Sequence, residues 1–293
     1  MDLHRLRLLL ELSRLGSMHE VAAELRTSTS TVSQGIATLA REVGTPLLER
    51  DGRRVRLTPA GVRLAGHAVT ILAAVDAARV DLDPAAEPVG ILRVAGFATA
   101  IRRSLVPVIG DLAARHPGID LRIHEHEPIE ALDLLTRDAV DLALVYDYDL
   151  AAAAWRDDLQ VTPLWESPWG LAVPATTTAL TLSLVAYADA DWIVNSRHTA
   201  DETALRTLAS IAGFTPTIRH RIDSLELVED LILAGLGVAL MPLDQAMPDG
   251  ITSQGTDPSI RLRAYAVSRR GRDRWPPLRA VLEGLGREGQ ADG

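Results

Sequence analysis

Hydroxyl and amide side chains stand close together near residue 30, where they could exchange hydrogen bonds with the polar edges of another molecule. Val32, Ile36 and Leu39 recur at helical spacing after a start at Ser28 or Thr29. This helix is slender and polar on its first turns, so it fits a DNA major groove about 12 Å wide. The residues expected to face the bases are Thr29, Ser30, Ser33 and Gln34. A glutamine amide pairs with adenine through two hydrogen bonds, but hydroxyls are also ordinary residues of a helix start.

Arginines crowd around the turn pair Asp51-Gly52, between two short strand-like runs at residues 47–50 and 53–57. The arginines are Arg50, Arg53, Arg54 and Arg56. Contact with DNA phosphates explains why mutual repulsion is tolerated there, and a solvated charge cluster is the alternative. The start of the preceding short helix, at Ser17 and Met18, could donate backbone N–H groups to a phosphate. Ser17 and Glu20 also have the spacing of a capping box.

A second group of polar residues lies at or just beyond the ends of predicted strands, where binding sites form in α/β sheets. Thr99 and Ala100 open a helix whose N–H groups could hold an anion or a polar group. The other candidates are Glu127, Pro128, Tyr146, Asp147, Asn195, Ser196 and Ser224. Glu127 and Asp147 favour a cationic, neutral or hydroxyl-rich ligand, although Arg102 and Arg103 could counter them. The alternative for each of these residues is a solvated strand end, which is common for polar residues at such positions.

Several kinds of chemistry are not expected. The chain has no cysteine and no lysine, which excludes thiol nucleophiles, disulfides, thiolate metal sites, P-loops and Schiff bases. None of the common catalytic motifs occurs, so we expect no enzyme and no cofactor. His124 and His126 share a strand face, but two histidines without a third ligand do not predict a metal site. The run from Arg269 to Arg274 is better explained as a solvated loop than as a second nucleic-acid patch.

The elements that position these residues fall into two parts. Residues 1–58 predict short helices and a hairpin, and residues 59–88 predict a long helix opened by Thr58-Pro59 and a proline-containing linker. Beyond them, strand and helix patterns alternate, which predicts an α/β sheet in residues 89–293. The predicted strands are 91–95, 120–124, 141–146, 170–173, 192–195, 217–222, 238–241 and 263–267, and the predicted helices are 105–115, 129–137, 202–212, 225–234 and 277–285. Two lobes are expected, one of residues 89–161 with 263–293 and one of residues 162–262.

The charge is divided between the two parts. Residues 1–80 hold eleven arginines against eight acids, and residues 81–293 hold nineteen against thirty-one. A basic first part and an acidic second part indicate that only the first part meets phosphate. The start of the chain lacks the pattern of a signal peptide and no apolar run approaches the length of a membrane span. We therefore expect a cytoplasmic protein that does not bind membranes.

Three segments of the chain together resemble the N-terminal domain of LysR-type transcription regulators. They are GSMHEVAAEL, STSTVSQGIATLAREVGTPLLER and VRLTPAG, within residues 3–72. The chain departs from the family at Ala40 and Leu48, where glutamate and phenylalanine are usual. The resemblance implies a multi-domain protein with an N-terminal all-α winged helix-turn-helix, a long linker helix and a C-terminal α/β effector domain of two Rossmann-like subdomains.

Further properties follow from the same resemblance. It implies binding to double-stranded DNA with Arg53 or Arg54 in the minor groove, and a small-molecule effector in the cleft between the lobes. It also implies a homodimer, or a dimer of dimers, paired through the long helix, and contact with RNA polymerase. Apolar residues expected to need the partner are Val62, Val69 and Leu72, unless they pack on the chain's own body. A regulator without small-molecule control and a solute-binding module are the alternatives.

Overall fold

The first 82 residues form a helical domain, which we call the head. We describe a computed structural model, which covers residues 1–51, 54–83, 87–175, 183–195 and 200–288. The head contains α1 (Leu3–Leu15), α2 (Met18–Glu24), α3 (Thr29–Val43), the hairpin strands β1 (Leu48–Asp51) and β2 (Arg54–Leu57), and α4 (Pro59–Leu82). Leucines of α1 pack with Val21, with Ile36 and with Leu72 in one core. The predicted helices and hairpin of the head are therefore present.

The long helix α4 begins as its sequence predicts but buries different residues from those expected. The Thr58 hydroxyl accepts a hydrogen bond from the Gly61 N–H at 3.0 Å, and Pro59 occupies the first turn. Val69 and Leu72 are only 2% and 4% exposed because they pack in the head's own core, so their assignment to a dimer surface is wrong. Val62 is 55% exposed.

The helix α4 is also long and apolar enough, with a mean hydropathy of 1.3, to cross a membrane, and one third of that stretch is buried inside the protein. Its buried side is shared with the core of the head. Its composition is therefore also that of a helix that packs inside a folded domain.

The rest of the described chain is built on one mixed sheet. Its strands are β3 (Gly90–Gly96), β4 (Ile119–Glu125), β5 (Leu142–Tyr148), β6 (Leu159–Pro174), β7 (Asp191–Val194), β8 (Thr217–Arg221), β9 (Val238–Pro242) and β10 (Ile251–Arg269). They are ordered β4-β3-β5-β10-β6-β9-β7-β8. The helices are α5 (Ala98–Ala100), continued through a π-helical turn (Ile101–Leu105) into α6 (Val106–Arg115), then α7 (Pro128–Thr136), α8 (Ala200–Ile211), α9 (Leu225–Leu233) and α10 (Pro276–Glu288). The predicted fold class is confirmed.

Two long antiparallel strands join the lobes of this sheet. The strands β6 and β10 pair along most of their length, and the pairing is interrupted between Gly255 and Ile260. On one side of this interruption they belong to lobe I, with β3, β4 and β5, and on the other to lobe II, with β7, β8 and β9. The sequence predicted only short pieces of them, because prolines such as Pro163 and Pro168 argue against a continuous strand. The expected lobe limits at residues 161–162 and 262–263 fall inside these strands.

Candidate nucleic-acid interface and interlobe cleft

One face of α3 presents polar side chains outward. Val32, Ile36 and Leu39 are fully buried beneath it. The Ser28 hydroxyl caps the helix by accepting a hydrogen bond from the Thr31 N–H at 3.1 Å. The four residues predicted to face bases, Thr29, Ser30, Ser33 and Gln34, are all exposed. The Ser30 hydroxyl also lies 2.7 Å from that of Ser28, whereas Gln34 has no described partner, so its amide is available for a base.

The arginines near the wing differ in their surroundings. Arg50 is exposed at the end of β1, and Arg56 pairs with Glu49 at 2.8 Å. Arg54 begins β2, and Arg53 lies outside the described residues. Among the wing arginines whose side chains the structure describes, Arg50 is therefore the one without a carboxylate partner.

The start of α2 differs from the prediction. Ser17 precedes α2 as its N-cap, but its side chain makes no capping hydrogen bond, so the predicted capping box is not formed. The Met18 side chain packs against the head core. The backbone N–H groups at this helix start are therefore not capped by the Ser17 hydroxyl.

A cleft of about 710 Å³ separates the two lobes of the sheet. Its lining combines residues from both lobes: Phe97, Ala98, Thr99, Arg102, Arg103, Glu125, Glu127, Tyr146, Asn195, Asp223, Ser224, Leu225, Glu226, Glu229, Asp244 and Gln245. Thr99, Glu127, Tyr146, Asn195 and Ser224 are thus brought together, as the sequence predicted. The strand-end argument found these residues because the parallel strands end at one edge of the sheet.

Other predicted cleft residues lie elsewhere. Ala100 is buried in the core below the cleft, and Pro128 forms the first turn of α7 without lining the cavity. Ser196 lies outside the described residues.

The prediction that Asp147 lines the cleft is wrong. It follows Tyr146 in β5, and successive strand residues point to opposite faces. Its carboxylate accepts hydrogen bonds from Arg263 at 2.8 Å, from the Tyr265 hydroxyl at 3.2 Å and from the Ala153 N–H at 2.8 Å. Asp147 is 2% exposed and holds lobe I together rather than lining the cleft.

Both arginines of the cleft are paired across it. Arg102 and Arg103, which follow β3 in lobe I, contact Glu226 at 3.2 Å and Asp244 at 3.0 Å in lobe II. The Arg103 guanidinium also lies 4.4 Å from the centre of the Trp165 ring. Three further acids of the lining, Glu125, Glu127 and Glu229, form no ion pair with a described residue. The described lining therefore has an excess of negative charge.

Glu127 is the most perturbed of these acids. Burial, followed by the nearby carboxylates of Asp223 and Asp201, raises the pKa of Glu127 to about 7. The Tyr146 hydroxyl lies 2.8 Å from Asp201 and 3.2 Å from Glu127, and Tyr148 also donates to Asp201. A hydroxyl has a single proton, so Tyr146 donates to one carboxylate at a time. A protonated Glu127 can itself donate to the Tyr146 oxygen, whereas donation from Tyr146 to Glu127 lowers the pKa of Glu127 without offsetting the effect of burial.

The sequence did not identify Asp201 or the acids Glu125, Asp223 and Glu229. Asp201 is 6% exposed in the first turn of α8, where an acidic residue is ordinary for a helix start, so its role was hidden. Its buried position becomes apparent only when β5 brings two tyrosine hydroxyls to it. Asp223 directly precedes Ser224, and the strand-end argument could have included it.

The histidine pair at the end of β4 and the arginines at the end of β10 lie apart from the cleft lining. His124 and His126 have ring centres 6.5 Å apart, and His126 contacts Glu130 at 3.4 Å. No group of three metal-binding side chains occurs among the described residues. The solvated-loop prediction is wrong for Arg269 and Arg272. Arg269 pairs with Asp138 at 2.6 Å, and Arg272 is 5% exposed.

Comparisons with known proteins match both parts of the chain. Residues 3–62 match the family described as "Bacterial regulatory helix-turn-helix protein, lysR family", and residues 85–290 match the "LysR substrate binding domain". The chain is similar to a probable hydrogen peroxide-inducible genes activator of Mycobacterium avium, at 29% identity over 86% of this chain and 79% of that protein. It is similar to the nitrogen assimilation regulatory protein nac of Escherichia coli, at 25% identity over 89% of this chain and 87% of that protein.

A solved structure shares the complete architecture. A full-length OxyR variant from Pseudomonas aeruginosa, in which a cysteine is replaced by aspartate, superimposes with a TM-score of 0.75 and 21% sequence identity. The match covers 99% of this chain and 95% of that chain. At this identity the likeness bears on the fold alone.

Proposed function

Because the chain belongs to the LysR family of transcription regulators, we propose that it binds a partly palindromic DNA site as a homodimer and adjusts this binding to a cationic small molecule held in the interlobe cleft. DNA binding, oligomeric assembly and a regulatory rather than an enzymatic role come with the family. The observation that carries the DNA proposal is the exposed stripe of α3 that ends at Gln34, beside the unpaired Arg50 of the wing.

Two heads are needed to read two half-sites spaced by about one turn of DNA. The exposed Val62 and the neighbouring exposed positions of α4 offer a surface for the same helix of a second copy. We propose a homodimer as the basic unit, a dimer of dimers on longer sites, and contact with RNA polymerase from the assembled complex in the cytoplasm. In this arrangement, closure of the lobes changes the spacing of the heads and hence the bend of the DNA.

The effector is proposed to carry a protonated amine or a similar cation. Glu125, Glu127 and Glu229 supply carboxylates, and the buried Asn195 side-chain oxygen accepts no hydrogen bond from any described residue. An N–H-bearing cation satisfies both kinds of acceptor. Carboxylates face each other from the two lobes, so a cation between them would favour closure over the open state.

Peroxide sensing through thiol oxidation, by contrast, is not available to this chain. The relative from M. avium is named for peroxide induction, but this sequence has no cysteine. The signal must therefore be chemically different from thiol oxidation.

The DNA proposal is tested with the purified full-length chain and the DNA upstream of its own gene. Footprinting and affinity are compared as salt is varied. Gln34→Ala should relax base preference at one position per half-site, and Arg50→Ala should lower the salt slope by about 1. Arg115→Ala, which removes an exposed arginine from α6 in lobe I, is the matched control and should leave the slope unchanged. Absence of any preferred site in genome-wide selected DNA would refute the proposal.

The effector proposal is tested by thermal unfolding followed through tryptophan fluorescence. Linear diamines and their dicarboxylate counterparts of equal length are added to the wild type and to a Glu127→Gln/Glu229→Gln variant. Diamines should raise the melting temperature of the wild type more than that of the variant, and dicarboxylates should not raise it. Stabilisation by dicarboxylates alone would exclude a cationic effector. No response to either series would favour the alternative, a regulator that works without small-molecule control.

A further inference from the structure

The head contacts lobe I through charged side chains that are almost fully buried. The Arg14 guanidinium, on α1 of the head, lies 2.8 Å from Oδ1 of Asp141, which directly precedes β5. Arg272 of lobe I reaches the same oxygen at 2.9 Å. The side chains of Arg14 and Arg272 are each 6% exposed and that of Asp141 is 0% exposed. A second pair joins Glu24 of α2 to Arg93 of β3 at 3.0 Å. We call these five residues the head latch.

Asp141 is held ionised at the centre of the head latch. Burial alone would raise its pKa, but Arg14 and Arg272 outweigh burial, and the pKa of Asp141 is lowered. Its second oxygen accepts a hydrogen bond from the Arg93 backbone N–H at 3.0 Å. Asp141 therefore binds both the backbone of β3, through Arg93, and the head, through Arg14.

The head latch is incompletely satisfied, which distinguishes it from a simple stabilising contact. The Nε atoms of Arg14 and Arg272 and one oxygen of Glu11 are buried, and no described residue forms a hydrogen bond with them. An apolar interface would avoid this penalty. When the head moves away, the same groups regain water, so a joint of this kind can open and close more readily than an apolar one.

The strands that carry the head latch also reach the interlobe cleft. The parallel strands β3 and β5 pair from Val94 and Leu142 onward, directly after Arg93 and Asp141, and they lead toward Phe97 and Tyr146 in the cleft. Tyr146 lies five residue steps along extended strand from Asp141, a distance of roughly 17 Å. The same two strands therefore contact both the cleft and the residues that hold the head.

We propose that the head latch, centred on Asp141 and its two arginines, holds the DNA-reading head on lobe I in one orientation, and that β3 and β5 connect it to the cleft. The assignment of the head as DNA-reading rests on the proposed function. The latch itself does not, and its test requires neither DNA nor effector.

The test measures the distance between the head and lobe I. Because the chain contains no cysteine, Ala37→Cys on α3 and Ala114→Cys on α6, both exposed, give a unique pair of spin labels. Double electron–electron resonance is recorded on the full chain, diluted about tenfold with unlabelled chains so that distances within one subunit dominate. The otherwise unchanged chain should give one narrow distance, and Arg14→Met should add a broad population at other distances.

Two further variants make the result specific. Arg5→Met removes an arginine from the same helix α1, but its partner Glu42 lies within the head, so the narrow distance should remain. Glu24→Gln weakens the second pair at a half-buried position and should give a smaller broadening than Arg14→Met. We call the two-lobed part of the chain after α4 the sensor domain. Four of its tryptophans, Trp155, Trp165, Trp169 and Trp192, lie outside the head latch, whereas Trp275 stacks on Arg272 at 3.8 Å. A retained cooperative unfolding transition, rather than an unchanged emission spectrum, therefore shows that the sensor domain is folded in each variant. If Arg14→Met is folded and keeps the narrow distance, or fails to fold while Glu24→Gln leaves the distance unchanged, the latch proposal is wrong.

Discussion

Replacing Glu127 with glutamine should stabilise the sensor domain, and the gain should depend on pH. Glutamine keeps the size of the side chain and an amide that can accept from or donate to the Tyr146 hydroxyl, but it cannot ionise. A carboxyl whose pKa rises from 4.5 to about 7 disfavours its ionised form by roughly 3 kcal/mol. Glu127 is only partly buried, and water and relaxation reduce this value, so we expect a gain of about 1–2 kcal/mol at pH 8.

The sign of the pH dependence follows from the direction of the shift. Between pH 4.5 and about 7 the folded wild type binds a proton that the unfolded chain has lost, so its stability falls as the pH rises through this window. Glu127→Gln has no carboxyl group at this position, so its stability does not fall in this window for this reason. Its advantage should therefore be close to zero near pH 4.5, should grow up to about pH 7 and should then stay constant.

Urea unfolding followed by tryptophan fluorescence is the appropriate assay, because all five tryptophans belong to the sensor domain, although Trp275 also borders the head. Glu283→Gln, on a side chain that is 63% exposed on α10, is the matched control and should show no such trend. A variant that is less stable than wild type at pH 8, or whose advantage grows toward acid pH, would contradict the electrostatic account of the cleft.

Two packing predictions follow from the fold. Leu72→Ala should destabilise the head by about 2–5 kcal/mol, measured by circular dichroism at 222 nm, because Leu72 lies in the head core. Val62→Ala, at an exposed position, should change the free energy of unfolding by less than about 0.5 kcal/mol but weaken self-association in sedimentation. If Leu72→Ala instead weakened self-association and left stability unchanged, Leu72 would belong to the dimer surface as first predicted. Gly170→Ala should destabilise the sensor domain by about 1–3 kcal/mol, since a Cβ there would lie 2.2 Å from the Gln254 carbonyl oxygen. Gly110→Ala, where a Cβ meets nothing within 4 Å on α6, should be neutral or stabilising, and equal losses at both glycines would refute the role of close strand approach.

The head was predictable because its signals are local. Thr58-Pro59, the helical spacing of Val32, Ile36 and Leu39, and the turn at Asp51-Gly52 each act over a few residues. The exposed face of α3 followed from the same periodicity, since the residues between buried positions must face outward. The family resemblance then fixed how these pieces combine.

The parts that could not be predicted depend on contacts between distant segments. Val69 and Leu72 have the spacing of an interface seam, and only the position of α1 decides that they face the chain's own core. Asp147 is one residue from Tyr146, and the pleat of β5 turns the two side chains to opposite faces. The role of Asp201 could not be predicted, because it depends on hydrogen bonds from two tyrosines of the distant strand β5. The polar residues at the strand ends predicted where the cleft lies, but not which of their side chains point into it.

The order in which the chain visits its domains has a consequence for synthesis on the ribosome. Every core residue of the head lies within residues 6–72, so the nascent head can fold as soon as α4 has emerged. Lobe I, by contrast, needs β10 and the buried Leu278, Val281 and Leu285 of α10, which emerge after the whole of lobe II. Arg272 therefore reaches Asp141 only after about 130 further residues have been made. A growing polypeptide would display a folded head some 200 residues before α10 emerges, and rapid translation of the segment from β10 to α10 would shorten the interval in which the head lacks its lobe I contacts.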